Sequence, residues 1–233
     1  MRTPTRARLA AALVLVLPAY AFVSADAAAV DEFDAASDNI EHLGNLPYTA
    51  DGASQGSDLE FATLTLGQDV VDREGLSEAD DVDADTPGIQ RRYAAAGAYD
   101  HGMQLVDVSD PETAEIVGVY DCGIAQGDVQ VFTRDDLPGR TFATFTWDTG
   151  YSAITTSACF TEAAALGFRR PTNGTFIAEI TDPYHPVTVS YVAAAKGSHN
   201  QTVHPSGRYL YNSNSELITN AAEAGIEYYS IED

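Results

Sequence analysis

Three stretches of the sequence share one pattern: Gly102-Met-Gln-Leu-Val-Asp-Val-Ser-Asp110, Gly174-Thr-Phe-Ile-Ala-Glu-Ile-Thr-Asp182 and Gly225-Ile-Glu-Tyr-Tyr-Ser-Ile-Glu-Asp233. Each begins with glycine, ends with aspartate and carries apolar residues at its fourth and seventh positions. A unit of this size cannot bury its own apolar face, so it has to stack on its neighbours. The pattern therefore predicts a tandem array of β-modules.

Around these stretches, from Asp58 onward, apolar and β-branched runs alternate with turn residues, which is typical of an all-β chain. The predicted strands are 59–66, 92–98, 103–108 and 115–120 in the first unit, 129–132, 141–147, 175–180 and 187–192 in the second, and 201–203, 208–211 and 226–231 in the third. Four-stranded antiparallel units in tandem predict the blades of a β-propeller. We expect about two full blades and most of a third over residues 58–233.

The array is expected to be incomplete in this chain, because closed propellers have roughly four to eight blades. Two explanations are open: the chain is a fragment of a longer protein, which we favour, or several chains associate to complete a ring. In either case an isolated chain would expose the flank of its outer blade. We expect it to be aggregation-prone or partly disordered near both ends.

The N-terminus has the pattern of a secretory signal peptide. Three arginines precede the apolar segment Leu9–Val23, and small residues follow it. An uncleaved membrane anchor is the alternative, but this run of about 15 residues is shorter than the roughly 20 that a membrane span needs. We therefore predict a signal peptide over residues 1–27, a flexible acidic leader over residues 28–57, and a secreted or cell-surface protein that is not integral to the membrane after cleavage.

The chain is strongly acidic, with 35 Asp and Glu against 12 Lys and Arg and a formal net charge of −23. Such a surface repels phosphate backbones, which excludes nucleic acid as an expected partner and disfavours anionic membranes. The partners left open are an extracellular protein, a glycan or a small molecule.

The two cysteines, Cys122 and Cys159, form an even set in a chain that we expect to be exported. An oxidising compartment then favours one disulfide between them. Two free, buried thiols are the alternative.

The segment Leu105-Val-Asp-Val-Ser-Asp-Pro111 resembles the LVIVD repeat of exported bacterial and archaeal proteins. Weaker copies lie at 177–183 and 228–233. The resemblance implies a secreted or surface protein with a propeller-like fold. It encodes a strand and a turn, so it carries over no catalytic residues.

A candidate site is predicted where the fourth strand of one blade passes to the first strand of the next. Asp128, His199 and Asn200 occupy such connections, and Glu216 follows a second strand, so all four are expected at the same end of the blades. One interpretation is a shallow site for a divalent cation, since carboxylates and imidazole bind such ions. The alternative is that Asp128 and His199 cap turns and bond neighbouring backbone amides. No cofactor is firmly implied.

Two other patterns are weak metal candidates. A strand between His199 and His204 would hold the imidazoles roughly 16 Å apart, at opposite ends of a blade. The segment Asp81-Val-Asp-Ala-Asp85 lacks the glycine and glutamate that a calcium-binding loop requires at its sixth and twelfth positions, so we interpret it as a solvated acidic loop.

The sequence contains no nucleophile elbow and no glycine-rich phosphate loop. We therefore expect an exported, non-catalytic binding or scaffold protein that uses a propeller face. The alternative is a metal-dependent hydrolase or oxidase of propeller type, with Asp128, His199 and Glu216 near the ion.

Overall fold

A computed structural model of the chain describes residues 41–48, 55–150, 152–168, 171–215 and 224–232. The predicted signal peptide, most of the predicted leader and Glu216 lie outside these ranges. Within these ranges, the helices and strands belong to one compact unit, Leu43–Asp233.

The described residues form three antiparallel sheets, each with its strands in chain order. The first sheet consists of β1 (Gly56–Leu66), β2 (Ile89–Ala98), β3 (Gly102–Asp107) and β4 (Glu115–Tyr120). The second consists of β5 (Gln126–Thr133), β6 (Thr141–Trp147), β7 (Gly174–Glu179) and β8 (Val187–Ala193). The third consists of β9 (Asn200–Val203), β10 (Tyr209–Ser213) and β11 (Ile226–Ser230).

The all-β prediction is confirmed, and the predicted strands match the observed ones closely. The main differences are that β1, β2 and β5 begin three residues earlier than predicted, at Gly56, Ile89 and Gln126. The early starts of β1 and β5 accompany a break in register, between Gly56 and Leu59 and between Gln126 and Val129. Two short helices, α1 (Gln68–Glu74) and α2 (Ala158–Ala165), lie in the long insertions.

The three sheets have a common register. In each sheet, the fourth residue of the nine-residue stretch pairs with a residue of the second strand. That residue pairs in turn with a residue of the first strand. The paired sets are Glu60–Ala95–Leu105, Gln130–Thr144–Ile177 and Thr202–Tyr211–Tyr228. Two residues before the first member of each set lie Asp58, Asp128 and Asn200. These three polar residues therefore occupy the same position in successive sheets.

The hydrophobic core lies between the sheets. Met103 and Leu105 of the first sheet share a cluster with Phe145 and Phe176 of the second, and all four side chains are fully buried. A second cluster joins the second and third sheets; its buried members are Phe142, Ile177, Leu210 and Ile231. Burial of each large apolar side chain contributes roughly 1.5–3 kcal/mol. Each sheet therefore depends on its neighbour for a large part of its stability.

The predicted disulfide is present, between Cys122 and Cys159, with the Cα atoms 5.2 Å apart. It ties the start of α2 to the chain that follows β4, and α2 packs its buried residues Cys159 and Phe160 on the second sheet. Among the described residues, neither helix is long and apolar enough to cross a membrane.

Candidate functional site

The first strands of the three sheets lie side by side, with β1 next to β5 and β5 next to β9. At the first contact a carboxylate oxygen of Asp58 accepts a hydrogen bond of 3.0 Å from the backbone N–H of Val129. At the second, a carboxylate oxygen of Asp128 accepts one of 2.9 Å from the backbone N–H of Gln201. Because Asp58 and Asp128 hold the same position, one bond recurs at both contacts. We call it the carboxylate joint.

The second joint includes two of the residues that the sequence singled out. The other oxygen of Asp128 accepts a hydrogen bond of 2.8 Å from the side-chain amide of Asn200. The backbone N–H of Asp128 in turn donates to the Thr146 hydroxyl at 2.8 Å. Asp128 is only 8% exposed. One oxygen of Asp128 therefore bonds a backbone amide, as in the alternative to a cation site given above, and the other bonds a side-chain amide.

Burial raises the pKa of Asp128 to about 6, because a carboxylate in this place has lost most of its hydration. The hydrogen bonds from Asn200 and Gln201 act in the opposite direction, and the nearby Asp58 carboxylate raises the pKa further. The net effect favours the protonated form of the Asp128 carboxyl in the folded protein under mildly acidic conditions.

This balance predicts a pH dependence that Asp128→Asn removes. The folded protein holds the proton more tightly than the unfolded chain, where the pKa is near 3.8, so Asp128 favours folding most below pH 4, and this contribution is lost as the pH rises through 6. We expect the wild type to lose about 2–3 kcal/mol of unfolding free energy across that window relative to Asp128→Asn.

Urea denaturation at intervals from pH 4 to 7 measures the difference. The exposed Glu78→Gln variant, which removes the same charge, is the control and should follow the wild-type slope. Parallel slopes for the wild type and Asp128→Asn would show that Asp128 does not titrate in this way.

His199 pairs with Asp148 rather than with Asp128. Its Nδ1 lies 2.8 Å from a carboxylate oxygen of Asp148, whose other oxygen accepts from the backbone N–H of Thr149. Asp148 is 6% exposed, whereas the His199 side chain is 39% exposed. The buried carboxylate therefore fixes the orientation of a partly exposed imidazole at the start of the insertion between β6 and β7.

A buried polar network lies next to this pair. The Thr175 hydroxyl is 2.9 Å from the Gln201 side-chain oxygen, and the Ser198 hydroxyl donates to the Asn212 side-chain oxygen at 2.6 Å. Asn212 donates in turn to the backbone carbonyl of Gly197 at 3.0 Å. Each of these side chains is almost fully buried. The network joins the second and third sheets below His199 through hydrogen bonds.

Two residues of the site, Asp58 and Asp148, were not predicted from the sequence. Asp58 could have been found from its register with Asp128, because the register breaks near Leu59 and Val129 fall at equivalent places in the two strands. Asp148 lies 51 residues from His199 and gives no local signal. The two histidines lie at opposite ends of β9, as expected, and His204 bonds Ser206 within its own turn.

The acidic segment 81–85 folds into turns closed by its own side chains. Asp81 accepts from the backbone N–H groups of Asp83 and Gln90, and Asp83 accepts from that of Asp85. Within the described part of the chain, no group of three or more His, Cys, Asp or Glu side chains is arranged to hold a metal ion.

Comparisons with known proteins do not identify a family. No family model matches the sequence. A search of curated proteins also finds no significant match. The resemblance of 105–111 to the LVIVD repeat therefore stays a prediction.

Proposed function

We propose that the chain is an exported, non-catalytic binding or scaffold protein whose sheets are blades of a β-propeller. In a propeller, first strands surround the axis and the sheet faces pack on one another. The order of β1, β5 and β9 and the two clusters between the sheets support this arrangement. The disulfide supports export, since disulfides persist in oxidising compartments.

One observation is the main support for a non-catalytic scaffold over an enzyme. The carboxylates that line the contact between first strands accept hydrogen bonds from the neighbouring strand, as Asp58 does from Val129 and Asp128 from Gln201. A carboxylate that serves as a catalytic base or a metal ligand must keep an oxygen for the substrate or the ion. In Asp128 each oxygen already accepts one hydrogen bond and the residue is only 8% exposed, which leaves little access for a substrate or an ion.

The surface that we assign to binding is the end of the sheets that carries His199, Asn200 and the insertion 148–173. Asn200 is exposed and His199 is partly exposed, whereas Ser198 and Asn212 below them are buried and hydrogen-bonded to each other. A rigid, hydrogen-bonded base under an exposed loop is a common arrangement for recognition. The proposed partners are an extracellular protein, a glycan or a small molecule.

The second candidate is the metal-dependent hydrolase or oxidase, and the His199–Asp148 pair favours it. Histidines that bind a metal through one ring nitrogen usually bond a carboxylate or a carbonyl through the other. The contact between Asp148 and Nδ1 leaves Nε2 of His199 directed away from that carboxylate. Of the residues named for this alternative, Asp128 is engaged in the joint and Glu216 lies outside the described residues.

Metal analysis of the purified full-length chain separates the two candidates. We expect zinc, manganese and calcium at well below one equivalent after dialysis, with the same result for His199→Ala and for the control His204→Ala. Ester, lactone and phosphate substrates should show no turnover above buffer. One equivalent of retained metal that is lost in His199→Ala alone, together with turnover of any of these substrates, would establish the enzyme instead.

A further inference from the structure

The insertion between β1 and β2 contains a cavity of about 720 Å³, in the range of roughly 300–1,000 Å³ that small-molecule sites occupy. Its lining comes from one continuous segment, residues 66–89. Leu66 at the end of β1 pairs with Ile89 at the start of β2, so the two strands stay paired as far as the cavity. The cavity therefore belongs to the insertion and not to an open sheet edge.

The walls of the cavity are fixed to the first sheet. On one side, α1 packs Val71 into the apolar cluster on that sheet. On the other side, Oδ1 of Asp81 accepts hydrogen bonds of 3.0 Å from the backbone N–H groups of Asp83 and Gln90. The backbone N–H of Val82 donates to the carbonyl oxygen of Gln90, also at 3.0 Å. The cavity is therefore preformed, and a ligand does not have to order it.

The lining combines an apolar part with two carboxylates. The apolar side chains are those of Leu66, Val71, Leu76, Pro87 and Ile89. The carboxylates are those of Glu78 and Asp81. Among the described residues that line the cavity, there is no lysine, arginine or histidine. The cavity is therefore both amphipathic and negatively charged.

Both carboxylates have oxygen atoms that a ligand can use. Glu78 is exposed, and its side chain makes no hydrogen bond or ion pair with another described residue. Asp81 engages Oδ1 with the two backbone N–H groups and leaves Oδ2 without a partner in the described part of the chain. Arg73 and Arg91, near the two ends of the insertion, are paired with acidic residues outside the cavity. The two carboxylates therefore favour a positively charged ligand.

We propose that this cavity binds a small organic cation, an amine with an apolar body. Its ammonium group donates charge-assisted hydrogen bonds to Glu78 and Asp81, and its body contacts the apolar part of the lining. A metal ion fits less well. Calcium takes six to eight oxygen ligands, and no group of three or more metal-binding side chains is found over the described ranges. A metal ion would also leave the apolar lining unused.

The charge of the chain opposes two other occupants. The predicted leader, residues 28–57, contains six aspartates and glutamates and no lysine or arginine, so an acidic cavity repels it. A second copy of the chain brings a net charge of −23 and is repelled in the same way. The cavity lies at the end of β1 farthest from Asp58, whereas His199 lies at the other end of the sheets. It therefore goes beyond the binding surface proposed above, and its test is independent of that proposal.

The experiment titrates dansylcadaverine, a primary amine on a five-carbon chain with a fluorescent aromatic group, with the full-length chain. We expect saturable one-to-one binding by fluorescence anisotropy. N-acetylated dansylcadaverine has the same body without the charge. It should bind at least tenfold more weakly, because a hydrogen bond to a charged group is worth about a factor of ten or more in affinity. Hexylamine should displace the probe, whereas ammonium chloride at the same concentration should not, since it lacks the apolar body.

Variants locate the site. Glu78→Gln combined with Asp81→Asn removes both charges but keeps an acceptor for the backbone N–H groups of Asp83 and Gln90, and it should weaken binding at least tenfold. The control combines Glu112→Gln with Glu115→Gln, two exposed residues outside the cavity, and should leave binding unchanged. The control makes the same change in net charge, so it separates a local site from general attraction to an acidic protein.

Four results would overturn the proposal. They are the absence of saturable binding, equal affinity for the acetylated probe, wild-type affinity in the correctly folded Glu78→Gln, Asp81→Asn variant, and an equal loss of affinity in the control. Calcium chloride that displaces the probe more strongly than sodium chloride of the same ionic strength would assign the carboxylates to a metal ion and would also overturn it.

Discussion

Replacing both cysteines, Cys122→Ala together with Cys159→Ala, should lower the free energy of unfolding by about 4 kcal/mol. The disulfide closes a loop with a sequence separation of 37, and the chain-entropy relation for a loop of that length gives about 4 kcal/mol. The bond also holds α2 on the second sheet, where Phe160 packs edge-on against Trp147 and Phe176 at centroid distances of 5.7 and 5.4 Å. Local loosening of α2 should add to the loss.

Urea denaturation of the double variant and the wild type measures this effect. In thermal unfolding the midpoint should fall by roughly 10 °C for a chain of this size. The reduced wild type is the matched control, since it lacks the crosslink but keeps both sulfur atoms, and it should agree with the variant within about 1 kcal/mol. A loss below about 1 kcal/mol would mean that α2 is held by its packing and that the disulfide contributes little.

The strands were predictable because each follows or precedes a local turn signal. The turns at Asp110-Pro111 and Asp182-Pro183 each lie between the third and fourth strands of a sheet. Gly102 and Gly174 begin the third strands of the first and second sheets. These signals depend only on neighbouring residues. The helix α1 was missed because its seven residues carry little more than one buried pair, Val70 and Val71. A pattern of that length does not separate a helix from an apolar loop.

The site was predictable only in part, because its contacts join residues far apart in sequence. Strand order predicts Asp128 and Asn200 at the same end of the blades, and in the structure the two side chains, 72 residues apart, share a hydrogen bond. It gives no means of choosing between Asp128 and Asp148 as the partner of His199. That choice depends on where the insertion after Trp147 leaves the sheet, and there Asp148 bonds the backbone carbonyl of Ala125 through its own N–H. Tertiary structure alone fixes such a contact.

The second large effect is expected for Phe176→Ala. Phe176 is fully buried in the cluster between the first two sheets and contacts Phe160 and Tyr191 through its ring. Truncation of a buried phenylalanine costs roughly 3–5 kcal/mol through lost transfer free energy and the cavity that remains. Phe61→Ala, on a ring that is 65% exposed, is the control and should change stability by less than about 0.5 kcal/mol. Urea denaturation of both variants gives the two values.

Amide hydrogen exchange in Phe176→Ala shows whether the three sheets stabilise one another. Exchange of the most protected amides follows the free energy of the opening that exposes them. We expect amides of Leu105 in the first sheet and Leu210 in the third to lose as much protection as those around Phe176, about 100-fold or more for a loss of 3 kcal/mol. Loss of protection confined to β5–β8, with Leu105 and Leu210 unchanged, would show that the sheets unfold independently.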